Sequence, residues 1–242
     1  LLTHPVTEKR IADARGRAMS NSIRHYRINP EFYLMQARAL MAMAPNPASA
    51  IAGFEAKLRA NTQQRDAANY GLALGYLKAG KHAEARKILA ALIVKKPFEL
   101  AFQNSDIELD IAVEEYKSAL LKLDRLLLQN PDNYPLTRLK SEALWQAHRY
   151  EESGQVLTGL SRKRSQDPMI WYRLAEVRGL AGNISGVHQA RAEYFILVGG
   201  FDMAREQLTL AAKLVVADFT RSAIIRQRLR DVVAMEDRLR KL

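Results

Sequence analysis

The sequence predicts an all-α chain, with antiparallel helix pairs stacked into a solenoid and closed by one long C-terminal helix. Three observations carry that prediction. Residues 68–97 read as one complete helix-turn-helix unit, the side-chain order of that unit returns at intervals of 34 residues, and no β-branched alternating run bounded by turn residues occurs in the 242-residue chain.

The unit follows from its side chains. Leu72, Ala73 and Tyr76 share one face of a first helix, Gly80 stops it, and Ala85, Leu89 and Leu92 mark the inner face of a second helix that ends before Pro97. Small Ala73 and Ala85 let the two axes approach, while Tyr76 and Leu89 fill the space beside them. This order resembles a tetratricopeptide repeat, with Asn69 standing where that family usually carries an aromatic residue. The resemblance implies a tetratricopeptide-repeat (TPR) solenoid whose business is binding protein.

One period further on, Pro131, Ala119, Leu123 and Leu126 take the places of Pro97, Ala85, Leu89 and Leu92, although Asp106 sits at an expected apolar position. A third copy places Tyr150 after its turn, followed by Leu157 and Leu160. Its closing proline arrives three residues late as Pro168, which predicts a lengthened basic loop over residues 161–166. The fourth copy opens with Trp171, Leu174 and Ala175 and turns at Gly182. Gly199-Gly200 marks one more turn, so residues 184–198 serve two neighbours. The expected organisation is a linker and helix over residues 1–29, a degenerate helix pair over 30–65, and repeats at 66–99, 100–133, 134–168 and 169–198. A last pair with the capping helix covers 199–242.

The degenerate first pair is cut by Pro45-Asn46-Pro47 and fits the repeat shape without its signature, as expected of a terminal unit that meets something other than another repeat. The last helix carries an apolar stripe of Phe219, Ile225, Leu229, Val232 and Leu239, with Arg226, Arg230 and Arg238 opposite. Acids at Asp231, Glu236 and Asp237 interrupt the basic side, which favours a cap over a membrane-surface helix.

The formal charge of +11 raises nucleic acid, anionic lipid or an acidic partner as possibilities. Residues 1–29 and 221–242 carry most of that excess. No aromatic-basic interleaving, basic recognition helix or Gly-rich strand platform accompanies it, so nucleic acid is not expected as a partner. Cysteine is absent, which excludes disulfides and thiolate metal sites. No run approaches the ~18 apolar residues of a membrane span, and no charged-then-apolar signal segment opens the chain. A first residue of Leu reads as the start of a fragment.

The string Thr3-His4-Pro5-Val6-Thr7-Glu8-Lys9-Arg10-Ile11 resembles the T-H-P-x4-R-[IL] segment that follows the catalytic domain in HExxH zinc metallopeptidases of the HtpX and CAAX-protease family. In the periplasmic beta-barrel assembly-enhancing (BepA-like) branch that segment leads into a TPR domain, the order seen here. The resemblance implies a periplasmic parent protein with a zinc peptidase domain, and a TPR domain that recruits unfolded or partly assembled outer-membrane proteins or their assembly machinery. A catalytic zinc needs two His one helical turn apart with Glu between them. None of His4, His25, His82, His148 or His188 has another His within five residues, so no HExxH exists in this sequence. The expectation is no cofactor and no catalytic residue in this chain, with His4 near zinc only where the peptidase domain is present.

In a TPR superhelix the first helices line the concave surface. From the phase above, Leu74, Glu108, Glu142 and Glu176 point into it, with Tyr70, Asn104, Arg138 and Tyr172 four residues back and Leu77 and Trp145 three residues ahead. These ten are the candidate groove, an acidic ladder with aromatic neighbours suited to holding an extended polypeptide. The alternative is a stand-alone scaffold or peptide-binding adaptor. A clamp of the kind that holds a C-terminal carboxylate would need Lys and Asn where Tyr70 and Leu74 stand.

Overall fold

The computed structural model describes residues 8–20, 29–60 and 64–239, and every element in them is a helix. α1 (Glu8–Ser20) carries Arg10 and Ile11 on exposed surface. His4 and the rest of residues 1–7 lie outside the described residues. α2 (Pro30–Met43) and α3 (Pro47–Arg59) begin alike: an Asn at the N-cap, Asn29 or Asn46, accepts a backbone N–H of the first turn, and a proline follows where no helical N–H is needed.

The register of the next helices is strict. Helices α5 (His82–Lys95), α7 (Tyr116–Gln129), α9 (Tyr150–Lys163) and α11 (Ile184–Leu197) start 34 residues apart, and so do α6 (Leu100–Ala112), α8 (Tyr134–Gln146) and α10 (Pro168–Leu180). α4 (Arg65–Lys78) precedes α5. Each first helix turns into its partner through one left-handed residue: Gly80 (φ 72°), Glu114 (φ 61°), His148 (φ 58°) and Gly182 (φ 74°). The N–H groups behind them close back on the helix, as Lys81 does on the Tyr76 carbonyl at 2.9 Å and Arg149 on Leu144 at 2.8 Å. Gly199 (φ 81°) repeats the device, and α11 packs against both α10 and α12 (Phe201–Leu214).

The lengthened loop expected over residues 161–166 is not there. Residues 161–163 are the last turn of α9, and Pro168 opens α10 behind Asp167, whose side chain accepts the Met169 N–H at 3.0 Å. Pro168 is therefore a first-turn proline, equivalent to Leu100 and Tyr134 rather than to Pro97 and Pro131.

Four apolar clusters follow one another along the stack in place of a single centre. Ala85, Leu89, Ala119 and Leu123 are essentially inaccessible. Ser153 takes the small-residue place in α9 and stays satisfied by donating to the Ser141 carbonyl at 2.8 Å. On α4, a Cβ at Gly71 would lie 2.3 Å from the Phe54 ring and one at Gly75 would lie 2.7 Å from Ile51, so these two glycines let α3 seat closely. α2 packs mainly on α4, not on α3, and so joins the row of first helices.

Asp106, the residue that broke the apolar pattern, belongs to a polar core. It and fully buried Asp110 are bridged from α5 by Arg86 (3.4 and 2.5 Å) and from α7 by Lys122 (2.5 and 2.7 Å), while Ser118 donates to Asp110 at 2.8 Å. α13 (Phe219–Leu239) packs on α12 through Ile225, Leu229 and Val232 and is pinned by Arg228 to Glu193 and by Glu236 to Arg205. Among the described residues no helix is long and apolar enough to cross a membrane.

Candidate protein-binding groove

The predicted groove residues divide into a closed half and an open half. α2 causes the division. Lying along α4, it buries Tyr70 completely and Leu74 almost so, leaving neither as groove surface. Repeat phase alone put both on the open concave face, because it marks which residue points off the packed stripe without saying that the preceding helix pair lays α2 against that side of α4.

Arg38 of α2 locks that half. Its guanidinium holds both Glu108 oxygens (3.0 and 2.9 Å), donates to Ser105 Oγ at 2.8 Å and to Tyr70 Oη at 3.1 Å, and lies 6.0 Å from the Tyr70 ring centre. Asn104 adds a bond to Glu108 at 3.1 Å. Burial alone would lower the Arg38 pKa, but the Glu108 carboxylate and the Tyr70 oxygen more than offset it and keep the cation charged. Burial pushes the Tyr70 phenol up, so it remains protonated. Glu108 is thus a structural anchor as much as a rung of a ladder, and Leu77 is half-buried against the first apolar cluster.

Towards the C-terminus the face opens. Arg138 and Tyr172 are exposed, Tyr172 at 52%, and Glu176 presents 40% of its side chain. Arg173 stacks 5.3 Å from the Trp145 ring centre and donates to Glu176 at 2.9 Å. Glu142 accepts from Gln146 at 3.0 Å, and Tyr172 meets Tyr194 of α11 at 5.7 Å between ring centres. Arg138, Glu142 and Trp145 on α8 and Tyr172 and Glu176 on α10 are thus linked through Arg173, which stacks on Trp145 and pairs with Glu176. Two buried polar atoms have no protein partner among the described residues, Asn104 Oδ1 and Trp145 Nε1, and both belong to groove positions. Arg38, Arg173 and Tyr194 escaped the sequence reading. The repeat phase puts Arg173 with Gly71, Ser105 and Leu139, and Tyr194 with Leu92, Leu126 and Leu160, all buried positions, while Arg38 acts on residues 32 to 70 positions away.

No group of three or more His, Asp or Glu side chains converges to hold a metal among the described residues, so the donors a catalytic zinc needs are not gathered there.

No family model matches the chain. It is 30% identical over 219 residues to the beta-barrel assembly-enhancing protease of Escherichia coli (strain K12), a match covering 89% of this chain and 44% of that protein. It is 25% identical over 242 residues to the protein of the same name in Yersinia pestis, covering 100% of this chain and 50% of the relative. The chain is a TPR-domain homologue of the beta-barrel assembly-enhancing proteases. It spans about half the length of these relatives, at 44–50%. A tetratricopeptide repeat protein from Parabacteroides merdae shares the fold at a TM-score of 0.51 and 13% identity, over 93% of this chain and 90% of its own. Solenoid and homology agree: what matches the proteases here is a repeat domain.

Proposed function

We propose that this chain is the non-catalytic, protein-binding part of a beta-barrel assembly-enhancing protease of the periplasm. It recruits unfolded or partly assembled outer-membrane proteins, or their assembly machinery, to a zinc peptidase domain in the same polypeptide. The zinc and its ligands belong to that other half, with His4 adjacent to them. One observation carries the reading: the concave face is shut by α2 at one end and open at the other, where Trp145, Tyr172, Arg138 and Arg173 present aromatic and guanidinium groups in the combination that protein-recognition hot spots favour. The homology to proteases over half their length supports the division of labour.

The test is affinity for a urea-denatured outer-membrane β-barrel protein diluted into buffer, followed by fluorescence anisotropy. Tyr172→Ala, at a half-exposed position, weakens binding about tenfold while leaving the melting temperature unchanged, the effect of losing one aromatic anchor. Unchanged affinity in Tyr172→Ala and in the Tyr172→Ala/Arg173→Ala pair contradicts the proposal.

A further inference from the structure

α13 stands off the stack along part of its length. It leaves a cleft of about 470 Å³ against α9, α10 and α11, walled by Thr158, Trp171, Arg178, Gln189, Ile225 and Arg228. A second hollow of about 630 Å³ continues it towards Ile196, Phe201, Met235 and Leu239. Trp171, Glu193 and Arg228 line both, so the two form one trench. Its α13 wall runs from Ile224 to Leu239, about 22 Å at the rise of an α-helix, which is room for about six or seven residues of extended chain.

The charges of this trench do not balance. Its two carboxylates are engaged: Glu193 accepts two bonds from Arg228, at 2.7 and 2.5 Å, and Asp231 accepts from Gln227 at 2.8 Å with Arg228 4.0 Å away. Arg162, Arg178 and Arg238, by contrast, make no ion pair with a carboxylate among the described residues. Arg178 is the informative one. Half-buried at the inner end, it donates only to neutral oxygens, the Gly186 carbonyl at 3.1 Å and Thr158 Oγ1 at 3.3 Å. A guanidinium has five donors, so most of its capacity is uncommitted. Burial pulls its pKa down and no acid opposes that, the reverse of Arg228. Between the cations the walls are apolar, with Ile224 61% and Leu239 56% exposed.

From this geometry we infer a second docking surface: the trench along α13 receives an extended, acidic segment of a partner polypeptide, its carboxylates meeting Arg162, Arg178 and Arg238 and its apolar side chains meeting Trp171, Ile224 and Met235. Charge complementarity selects acid over base, and concavity selects a chain over a flat bilayer. The trench shares α10 with the groove but no residue: Trp171 and Arg178 line the trench, Tyr172 and Glu176 the groove, so point substitutions tell the two apart.

A fluorescein-labelled peptide of about eight residues, alternating glutamate with leucine or phenylalanine, is the probe, with its lysine counterpart as control. The acidic peptide binds this chain and the basic one does not. Arg178→Met lowers that affinity about tenfold, as the loss of charge-assisted hydrogen bonds requires, and the exposed pair Arg162→Glu/Arg238→Glu does so with the fold undisturbed. Tyr172→Ala leaves it unchanged. Equal binding of both peptides, indifference to the Arg162→Glu/Arg238→Glu pair, or co-sedimentation with phosphatidylglycerol vesicles without peptide binding would overturn the inference.

Discussion

Glu114 and His148 hold a backbone conformation that L side chains rarely adopt, at φ 61° and 58°. They stand at the same point of their turns as Gly80 and Gly182, and the following N–H closes the same bond back on the helix, Glu115 onto Asp110 at 2.8 Å. A side chain in the left-handed region costs ~1–2 kcal/mol, part of which glycine gives back through its larger unfolded-state entropy. His148→Gly and Glu114→Gly should each therefore stabilise the domain by about 0.5–1 kcal/mol, seen as a raised midpoint in urea with an unchanged slope. His148 also bonds Tyr150 Oη at 2.6 Å on the exposed turn, and an unchanged or lowered midpoint would mean that such local contacts outweigh the backbone strain.

At the scale of the element, the helix triplet α5, α6 and α7 adds a buried charge cluster to its hydrocarbon core. Burial alone would raise the Asp110 carboxyl, but hydrogen bonds from Lys122, Arg86 and Ser118 outweigh it and hold it below the usual carboxylate range. A depressed folded pKa gives stability that is complete above the unfolded value, about 3.9 for Asp, and disappears as pH falls through the folded value. The melting temperature should thus be insensitive to this site from pH 7 down to about pH 4 and drop below it, with Asp110→Asn flattening the acid limb. At pH 7 that substitution should cost about 2–3 kcal/mol, less than a fully buried pair would lose, because Arg86 and Lys122 are each 37% exposed and partly screened. An identical acid limb in Asp110→Asn would show that this site contributes nothing to acid unfolding. These elements also show what a sequence can disclose. The repeat period was legible in the spacing of Ala85, Leu89, Ala119 and Leu123, because a helix that must bury one stripe against a neighbour repeats that stripe. Asp106 read as degeneracy because the cations that satisfy it come from other helices. Pro168 was ambiguous alone, since proline both follows one helix and opens the next, and Asp167 as its cap was the signal that could have decided it.

For the whole molecule, the consequence of stacking is that the concave face is not uniform. α2 continues the row of first helices beyond α4 and fills the N-terminal part of the groove with Arg38, an arrangement invisible in a pattern that reveals a buried stripe without naming what buries it. Hence Tyr70 and Leu74, placed on the groove by phase alone, are core, whereas Tyr172 and Glu176 are surface. The capping of the other end by α13 was legible as a long amphipathic helix, but the trench between it and α9, α10 and α11 depends on where that helix sits, which its apolar stripe does not state. Whether the open end of the concave face holds partner polypeptide is read by a photo-crosslinking amino acid placed in turn at Glu108, Glu142, Tyr172 and Glu176, with exposed Lys87 and Arg125 on the second helices as controls and a denatured outer-membrane β-barrel protein as the partner. Capture is expected at Tyr172 and Glu176, less at Glu142, and little at Glu108, Lys87 or Arg125. Capture at Lys87 and Arg125 equal to that at Tyr172 and Glu176 would contradict binding at the open end.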